Sequence, residues 1–217
     1  MNFADLIKKC KECHKCRLRK NAAQVVPGAG DPKAEIMFIG EAPGANEDRE
    51  GVPFCGAAGN FLEELLESIG IERKKVFITN IVKCRPPGNR EPQNDEIKAC
   101  RSWTNALIKI IKPKVFVLLG RFALNKFFPE LKISQVHGKS YKKWGRIFFI
   151  MYHPAVALYN GSQREVLFAD IKNLGEIIKG NLGEIDILDK PKNEMADLLK
   201  RKRAEKRRKE NQLKIQI

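Results

Sequence analysis

Four short apolar runs, rich in Val, Ile and Phe, recur along the chain and predict buried β-strands. They cover residues 35–39, 76–82, 115–119 and 147–152. A strand inside a parallel sheet is covered on both faces, so it is apolar throughout and lacks the alternation of a half-exposed strand. The four runs therefore indicate a sheet whose strands are mainly parallel.

Helical patterns lie between these strands. One apolar stripe, with Asn60 as its predicted N-cap and Gly70 as its predicted stop, comprises Phe61, Leu62, Leu65, Leu66 and Ile69. Further helices are predicted over residues 92–111, 121–128 and 163–179. Strands that alternate with helices predict an α/β fold, here a three-layer α/β/α sandwich around a mainly parallel four-stranded sheet.

Turns and polar side chains follow the predicted strands. The first strand runs into Gly40, Glu41 and Ala42, the second contains Asn80 towards its end, and the fourth is followed by His153. Each has an ordinary structural alternative: a tight turn, an amide that ties down a loop, or a structural histidine. Because ligands of open parallel sheets bind beyond the carboxyl ends of the strands, we expect these residues to share one site.

Length and composition narrow the class of protein. The 217 residues fit one domain, predicted over residues 1–180, and a basic extension over 181–217 that is helical or partly disordered. No apolar run approaches the roughly 20 residues of a membrane-spanning helix, and the N-terminus lacks a secretion signal. We therefore expect a cytoplasmic monomer that does not bind membranes.

The charge favours a polyanionic partner. Lys and Arg outnumber Asp and Glu by 41 to 26, which gives a net charge of +15. Residues 190–217 hold 11 Lys and Arg against 4 Asp and Glu, so the excess is shared between this tail and the rest of the chain. A basic protein without a nucleic-acid partner, and a tail that is only a solvated charge run, remain the alternatives.

Six cysteines in a chain without a secretion signal point to metal or redox chemistry more than to disulfides. Cys10, Cys13 and Cys16 have the spacing C-x2-C-x2-C, which lets a tight loop direct two or three thiolates at one centre. Cys84 follows the second strand, and Cys100 lies on the inner face of the next helix. Four thiolates from two distant segments can hold a 4Fe-4S cluster or a structural zinc ion, and spacing alone does not separate the two.

Several motifs together resemble one known family. They are Gly40-Glu41-Ala42-Pro43-Gly44, residues 51–59 (GVPFCGAAG), residues 80–87 (NIVKCRPP) and His153-Pro154-Ala155. In this order they resemble family 4 uracil-DNA glycosylases of thermophilic bacteria and archaea, over about residues 5–180. The resemblance implies a monofunctional enzyme that flips uracil out of single- or double-stranded DNA and hydrolyses its N-glycosidic bond, which starts base excision repair. It also implies a 4Fe-4S cluster, with ligands at Cys13, Cys16, Cys84 and Cys100.

The reaction asks for side chains that these motifs supply. A flipped base needs a stacking platform, for which Phe54 is the candidate, and a reader of its polar edge, for which Asn80 is the candidate. The Asn80 amide can donate to uracil O4 and accept from N3-H, whereas cytosine reverses both groups. His153 is predicted to stabilise the negative charge on the departing base through uracil O2. Gly40 and the backbone of Glu41 and Ala42 belong to the same site, and the Glu41 carboxylate is predicted to orient water or stabilise the cationic sugar.

The chain departs from better-known uracil-DNA glycosylases at two points. They carry Asp one place beyond Glu41, where this chain has Ala42, so their water-activating group is missing. They also carry an aromatic residue that excludes thymine, and by resemblance Glu47 takes over that role here. Residues 156–159 are predicted to form a loop that enters the duplex. The final residues, 212–217, suggest a sliding-clamp contact but lack the paired aromatics of such peptides.

Two other classes of protein are consistent with part of the pattern. A non-catalytic zinc-thiolate module that binds nucleic acid explains the charge and the cysteines, but it leaves Phe54, Asn80 and His153 without a shared purpose. A nucleotide-hydrolysing enzyme would use the Gly-rich turns, yet the chain has no G-x-x-x-x-G-K-S/T pattern.

Overall fold

The structure, a computed structural model, describes residues 1–181, and within them six strands form one sheet. The strands are β1 (Ala29–Gly30), β2 (Ile36–Gly40), β3 (Phe77–Asn80), β4 (Val115–Leu119), β5 (Ser140–Lys143) and β6 (Arg146–Met151). Their order is β1-β3-β2-β4-β6-β5. The central pairs are parallel, and β1 and β5 are antiparallel at the two edges.

Helices cover both faces of the sheet, which gives three layers. The longer helices are α1 (Phe3–Lys11), α4 (Ala57–Ser68), α5 (Asn94–Ile111), α6 (Arg121–Phe127) and α9 (Ser162–Ile178). The shorter ones are α2 (Leu18–Asn21), α3 (Ala45–Glu50), α7 (Ile133–Val136) and α8 (Val156–Tyr159), with 3-10 turns at Arg73–Lys75 and Pro87–Asn89. Helices α1, α5 and α6 pack on one face, and α4 and α9 pack on the other.

The strands are apolar because both of their faces are buried. In β4, Phe116 and Leu118 pack towards α5 and α6, whereas Val115, Val117 and Leu119 pack towards α4 and α9. All five residues of β4 are buried. Burial on both faces explains why the strands appear in the sequence as continuous apolar runs.

The strand register brings the carboxyl ends of the parallel strands to one edge. Gly40, the last residue of β2, pairs with Asn80, the last residue of β3. Leu119 at the end of β4 pairs with Met151 at the end of β6, two residues before His153. The residues that the sequence marks as chemical therefore leave the sheet at the same level.

The predicted fold class is confirmed, since the four predicted strands form the parallel centre of the sheet. Strands β1 and β5 are additional, and they had no signal because β1 has two residues and β5 is partly polar. The predicted start of α4 is wrong, because Gly56 and not Asn60 is the N-cap. Ala57 and Ala58 extend the first turn without the polar capping signature that Asn60 suggested.

Residues 156–159 form the short helix α8 and not the predicted loop. No helix among residues 1–181 is long and apolar enough to cross a membrane. The predictions for the basic tail, including its helical character and the sliding-clamp contact, fall outside the described residues.

Candidate active site

A pocket of about 480 Å³ opens at the carboxyl ends of the parallel strands. Six of the seven predicted substrate-binding residues line it, namely Glu41, Ala42, Glu47, Phe54, Asn80 and His153. A larger depression, of about 750 Å³, lies at the β1 edge between Gly30 and Arg73, away from every predicted catalytic residue. The smaller pocket is therefore the candidate active site.

Asn80 supplies an unpaired polar atom to this pocket. Its side chain is 1% exposed, and its Oδ1 has no hydrogen-bond partner among the described residues. An unsatisfied buried acceptor costs about 1 to 3 kcal/mol, so a pocket that retains one is suited to a ligand with a matching N-H donor.

Gly40, the seventh predicted residue, lies behind the pocket and not on its surface. A Cβ atom at Gly40 would lie 2.4 Å from Asn80 Oδ1 and 2.7 Å from the Phe54 ring. Glycine is thus required here because the backbone of β2 approaches both side chains closely. Its role is to leave room for the groups that contact the base.

His153 is held as a neutral imidazole. Burial lowers its pKa to about 4, and the charge of Glu47 opposes the shift only in part. Its Nδ1 accepts a hydrogen bond of 3.3 Å from the backbone N-H of Ala155, which leaves the ring proton on Nε2. The Nε2-H group is therefore available as a neutral donor.

Phe54 lies in a loop that is fixed from several sides. Its ring stacks on His153 with the centroids 5.3 Å apart, and its backbone has a left-handed φ of 52°. The guanidinium of Arg73 donates to the carbonyl oxygens of Pro53 and Phe54 at 2.6 and 2.8 Å. Non-glycine residues adopt this backbone region rarely, so the surrounding contacts must hold the loop in place.

Glu47 also holds this loop, a role that the sequence did not reveal. Its carboxylate accepts hydrogen bonds from the backbone N-H groups of Gly44, Cys55 and Gly56 at 2.9 to 3.0 Å. Three such bonds fix the carboxylate at the pocket wall. The same contacts join the start of α3 to the loop that carries Phe54.

Glu41 is a partly buried carboxyl group at the rim. Burial raises its pKa, the charge of Glu91 raises it further, and the charge of Arg121 opposes both. The carbonyl oxygens of Gly40 and Glu41 accept hydrogen bonds from Ile81 and Val82 at 2.9 and 3.1 Å. The loop after β2 is thereby tied to the chain after β3.

The outer wall of the pocket contains residues that strand ends alone did not predict. Leu158 and Tyr159 of α8 are 47% and 90% exposed, and both border the pocket. Arg90 borders the opposite side, where its guanidinium pairs with the buried Glu96 at 2.7 Å. Arg90 and its neighbours hold the pKa of Glu96 down to about 2, so this pair stays charged.

Four of the six cysteines line a second, small cavity on the side of the sheet that α1, α5 and α6 cover. They are the four predicted metal ligands, Cys13, Cys16, Cys84 and Cys100, and Trp103 lies against them. The Trp103 indole N-H lies 3.0 Å from Cys13 Sγ, and the backbone N-H of Lys83 lies 3.3 Å from Cys100 Sγ. N-H groups directed at sulfur stabilise a thiolate. Cys10 is buried in α1 and does not line the cavity.

The thiol of Cys84 is influenced by the other three, although the described residues contain no site arranged for a single metal ion. Burial raises the pKa of Cys84 to about 12, with further contributions from Cys100, Cys16 and Cys13. Within residues 1–181, no group of three or more His, Cys, Asp or Glu side chains is arranged to hold one metal ion. In a 4Fe-4S cluster each thiolate binds a different iron atom, so the ligands surround a larger centre than one ion. Four thiols around one cavity, of which Cys84 and Cys100 are buried and Cys13 and Cys16 are partly exposed, fit that donor set.

Lys83 connects the two sites and was not predicted. Its side chain is 1% exposed, and its ammonium group donates to the Asn80 carbonyl oxygen and to the hydroxyls of Thr79 and Thr104. The same residue contacts Cys100 through its backbone. Because Lys is rarely buried, the sequence gave no reason to place this side chain in the interior. The position of Lys83 directly before Cys84 was the one sign of a link to the cysteine site.

Comparison with known proteins identifies the class and then the family. Residues 27–173 match the profile of the uracil DNA glycosylase superfamily. The chain is 49% identical to the type-4 uracil-DNA glycosylase of Sulfurisphaera tokodaii over 187 residues, which cover 80% of this chain and 85% of that protein. The corresponding proteins of Archaeoglobus fulgidus and Thermotoga maritima are 45% and 42% identical, over 80% and 78% of this chain and 92% and 91% of theirs. The chain therefore belongs to the type-4 uracil-DNA glycosylases.

Proposed function

We propose that the chain excises uracil from DNA by hydrolysing the bond between the base and the sugar. The observation that carries the proposal is the unpaired Oδ1 of Asn80 in a pocket that also holds a neutral His153. Family membership supports the same activity, because the relatives are named as uracil-DNA glycosylases.

Asn80 reads the base. Its Oδ1 accepts from uracil N3-H, and its amide nitrogen donates to O4. Cytosine presents an acceptor at N3 and an amine at C4, so each contact would meet a group of the wrong kind. Gly40 makes this reading possible, since the absence of a Cβ leaves room for the amide against β2.

His153 and Glu41 promote cleavage. As the C1′-N1 bond breaks, negative charge develops on uracil O2, and the Nε2-H of neutral His153 donates to that oxygen. The sugar becomes cationic, and the Glu41 carboxylate stabilises it and orients the water that adds to C1′. The departing base leaves with the bonding electrons, and the proton released by the water that adds to C1′ balances the one that the uracil anion takes up.

The rest of the pocket selects a flipped nucleotide. Phe54 stacks against the base, and the fixed carboxylate of Glu47 occupies the space that the C5 methyl group of thymine would need. Leu158 and Tyr159 of α8 lie exposed at the mouth, where an apolar wedge can enter the gap that the base leaves.

The four cysteines around the second cavity hold a 4Fe-4S cluster in this proposal. The cluster supplies a covalent cross-link between residues 13–16, the chain after β3, and α5. Cys13, Cys16, Cys84 and Cys100 are its ligands, and Trp103 and Lys83 direct N-H groups at two of the sulfurs. Base excision needs no electron transfer, so the cluster is structural.

The chain acts on DNA as a monomer, which light scattering of the purified protein would test.

The function is tested by incubating the protein with oligonucleotides that contain U:G, U:A, T:G or single-stranded U. We expect an alkali-sensitive abasic site and free uracil from the three uracil substrates and none from T:G. Hydrolysis of free nucleotides without any DNA product would instead identify a nucleotide hydrolase. Zinc without iron in the purified protein, together with no excision, would identify a nucleic-acid-binding module.

A further inference from the structure

A second groove, of about 320 Å³, lies between α5, α6 and the turn that joins β5 to β6. We call it the basic groove. Its lining includes three cationic residues, Arg101, Lys126 and Arg146, and the aromatic residues Phe116, Trp144 and Phe148. None of these residues borders the active-site pocket.

The basic groove faces the opposite end of the sheet from the active site. Phe116 is the second residue of β4 and pairs with Phe148 of β6, whereas the pocket lies beyond the last residues of the same strands. Trp144 precedes β6 in the turn after β5. A ligand in the basic groove therefore does not contact the residues that hold the flipped base.

Within the described part of the chain, the cations of the basic groove are not paired with carboxylates. Among residues 1–181, none of Arg101, Lys126 and Arg146 forms an ion pair. Lys126 donates to the Asn105 side chain, at 3.3 Å, and the Arg146 guanidinium lies over the Phe116 ring. Burial and, to a lesser extent, the charge of Arg101 lower the pKa of Lys126 to about 8. An anion in the groove would relieve this repulsion.

Phe116 and Phe148 form the floor of the basic groove, and Trp144 is its exposed aromatic residue. The rings of Phe116 and Phe148 stack with centroids 4.7 Å apart and planes within 9°. Trp144 is 71% exposed and has a left-handed φ of 54°. Its ring meets Phe148 edge-on, with the ring centroids 6.2 Å apart, and Lys143 Nζ lies over the ring at 4.9 Å from its centroid, which leaves the other face of the indole for a ligand. An exposed indole face next to cations combines the two elements of a single-stranded nucleic-acid site, a stacking platform and charges for the backbone.

We propose that the basic groove binds single-stranded nucleic acid, with one unpaired base stacked on Trp144 and the adjacent phosphates bound by Arg101, Lys126 and Arg146. A duplex fits this arrangement poorly, because its bases present no free face to an indole. An acidic peptide would pair with the cations but would leave the Trp144 ring without a stacking partner. The groove is thus a second nucleic-acid site, separate from the one that performs excision.

The test measures binding while the active site is occupied. Full-length protein is saturated with a duplex that contains an abasic site, and a short, uracil-free, fluorescent oligothymidylate is then added. Fluorescence anisotropy should report a ternary complex. Trp144→Ala should weaken oligothymidylate binding roughly 5- to 150-fold, the range found when a stacking aromatic is removed. Trp144→Phe should restore most of the affinity, and Trp144→Ala should excise uracil from duplex at the wild-type rate.

Charge variants separate phosphate contacts from the general effect of net charge. Arg146→Gln should reduce the slope of log affinity against log salt by about 0.7, the value for one lost phosphate contact on a single strand. Lys172→Gln removes the same charge from an exposed position on α9 in the other helical layer, and its slope should match that of the wild type.

Three results would overturn the proposal. They are the absence of a ternary complex, equal oligothymidylate affinity for wild type and Trp144→Ala, and equal slope changes for Arg146→Gln and Lys172→Gln. Binding of an oligoglutamate peptide that depends on Trp144 and exceeds that of the oligonucleotide would also overturn it, and would assign the groove to a protein partner. Circular dichroism melts of all variants show whether any loss reflects unfolding.

Discussion

At the residue scale, the side chains of Asn80 and Phe54 approach the same backbone position, Gly40. We predict that Gly40→Ala lowers the rate of uracil excision by about 10²-fold, because a Cβ 2.4 Å from Asn80 Oδ1 displaces the amide that reads the base. Single-turnover assays on a U:G duplex would measure the effect. Gly161→Ala is the matched control, since a Cβ at Gly161 meets no atom within 4 Å. Equal rates for the two variants would show that the close approach at Gly40 does not matter.

Glu41 leads to a prediction about pH. Its raised pKa follows from burial first and from the charge of Glu91 second. Because the carboxylate must be ionised to stabilise the cationic sugar, the excision rate should be full above this pKa and fall as the pH drops through it, above the usual range for Glu. His153 becomes protonated only near pH 4, so its effect comes later. Glu41→Gln should lower the plateau and remove this first decline. A wild-type profile that is flat down to about pH 4 would contradict the assignment.

The sequence identified the residues that end strands but not the ones that support them. Asn80 and His153 were predictable because strand ends in a parallel sheet converge, and both line the same pocket. Lys83 and Glu96 were not, because charged residues are usually exposed and both are almost fully buried here. Each has one partner that is distant in sequence, Thr104 for Lys83 and Arg17 for Glu96. Only the three-dimensional structure shows such pairs.

At the element scale, the cysteine cavity is lined by three separate segments: residues 13–16, the chain after β3, and α5. We predict that Ser at Cys13, Cys16, Cys84 or Cys100 abolishes the broad absorbance near about 400 nm that is typical of protein iron-sulfur clusters. Cys10→Ser is the matched control and should keep the absorbance, since Cys10 does not line the cavity. Loss of absorbance in Cys10→Ser with retention in Cys13→Ser would exchange the two residues in the ligand set.

The predictability of each element depended on its burial. Strand β4 was predicted with its observed bounds because all five of its residues are buried. The start of α4 was misplaced because a close backbone contact, which apolar periodicity does not reveal, accompanies it: a Cβ at Gly59 would lie 1.8 Å from the Phe54 carbonyl oxygen, so the first turn packs against the Phe54 loop. Helix α8 is a single turn of four residues, too short for a periodic pattern to reveal.

At the scale of the whole molecule, the basic tail over residues 190–217 is predicted to raise general DNA affinity without setting base preference. Phosphate contacts carry no sequence information, so deleting the tail should weaken binding and flatten its dependence on salt. The ratio of U:G to T:G excision should stay the same. Binding titrations at several salt concentrations would measure the slope, and an unchanged slope would show that the tail does not contact DNA.

The two ends of the sheet differ in what the sequence revealed. The active-site end could be predicted from motifs in one order along the chain. The basic groove could not, because its cations come from α5, α6 and β6, which the fold brings together. The net charge of +15 indicated a polyanionic partner but not the place where it binds.

The most direct test of the central claim compares single-turnover excision of uracil from a U:G duplex by the wild type, His153→Ala and Asn80→Asp. Removing one preorganised donor to a developing anion typically costs about 10²- to 10³-fold in rate, so His153→Ala should slow by that factor while duplex binding persists. Asn80→Asp should lose uracil excision and gain weak action on cytosine, because an ionised carboxylate accepts from the cytosine amine and offers no proton to uracil O4. Rates near that of the wild type for both variants would contradict the assignment of this pocket as the active site.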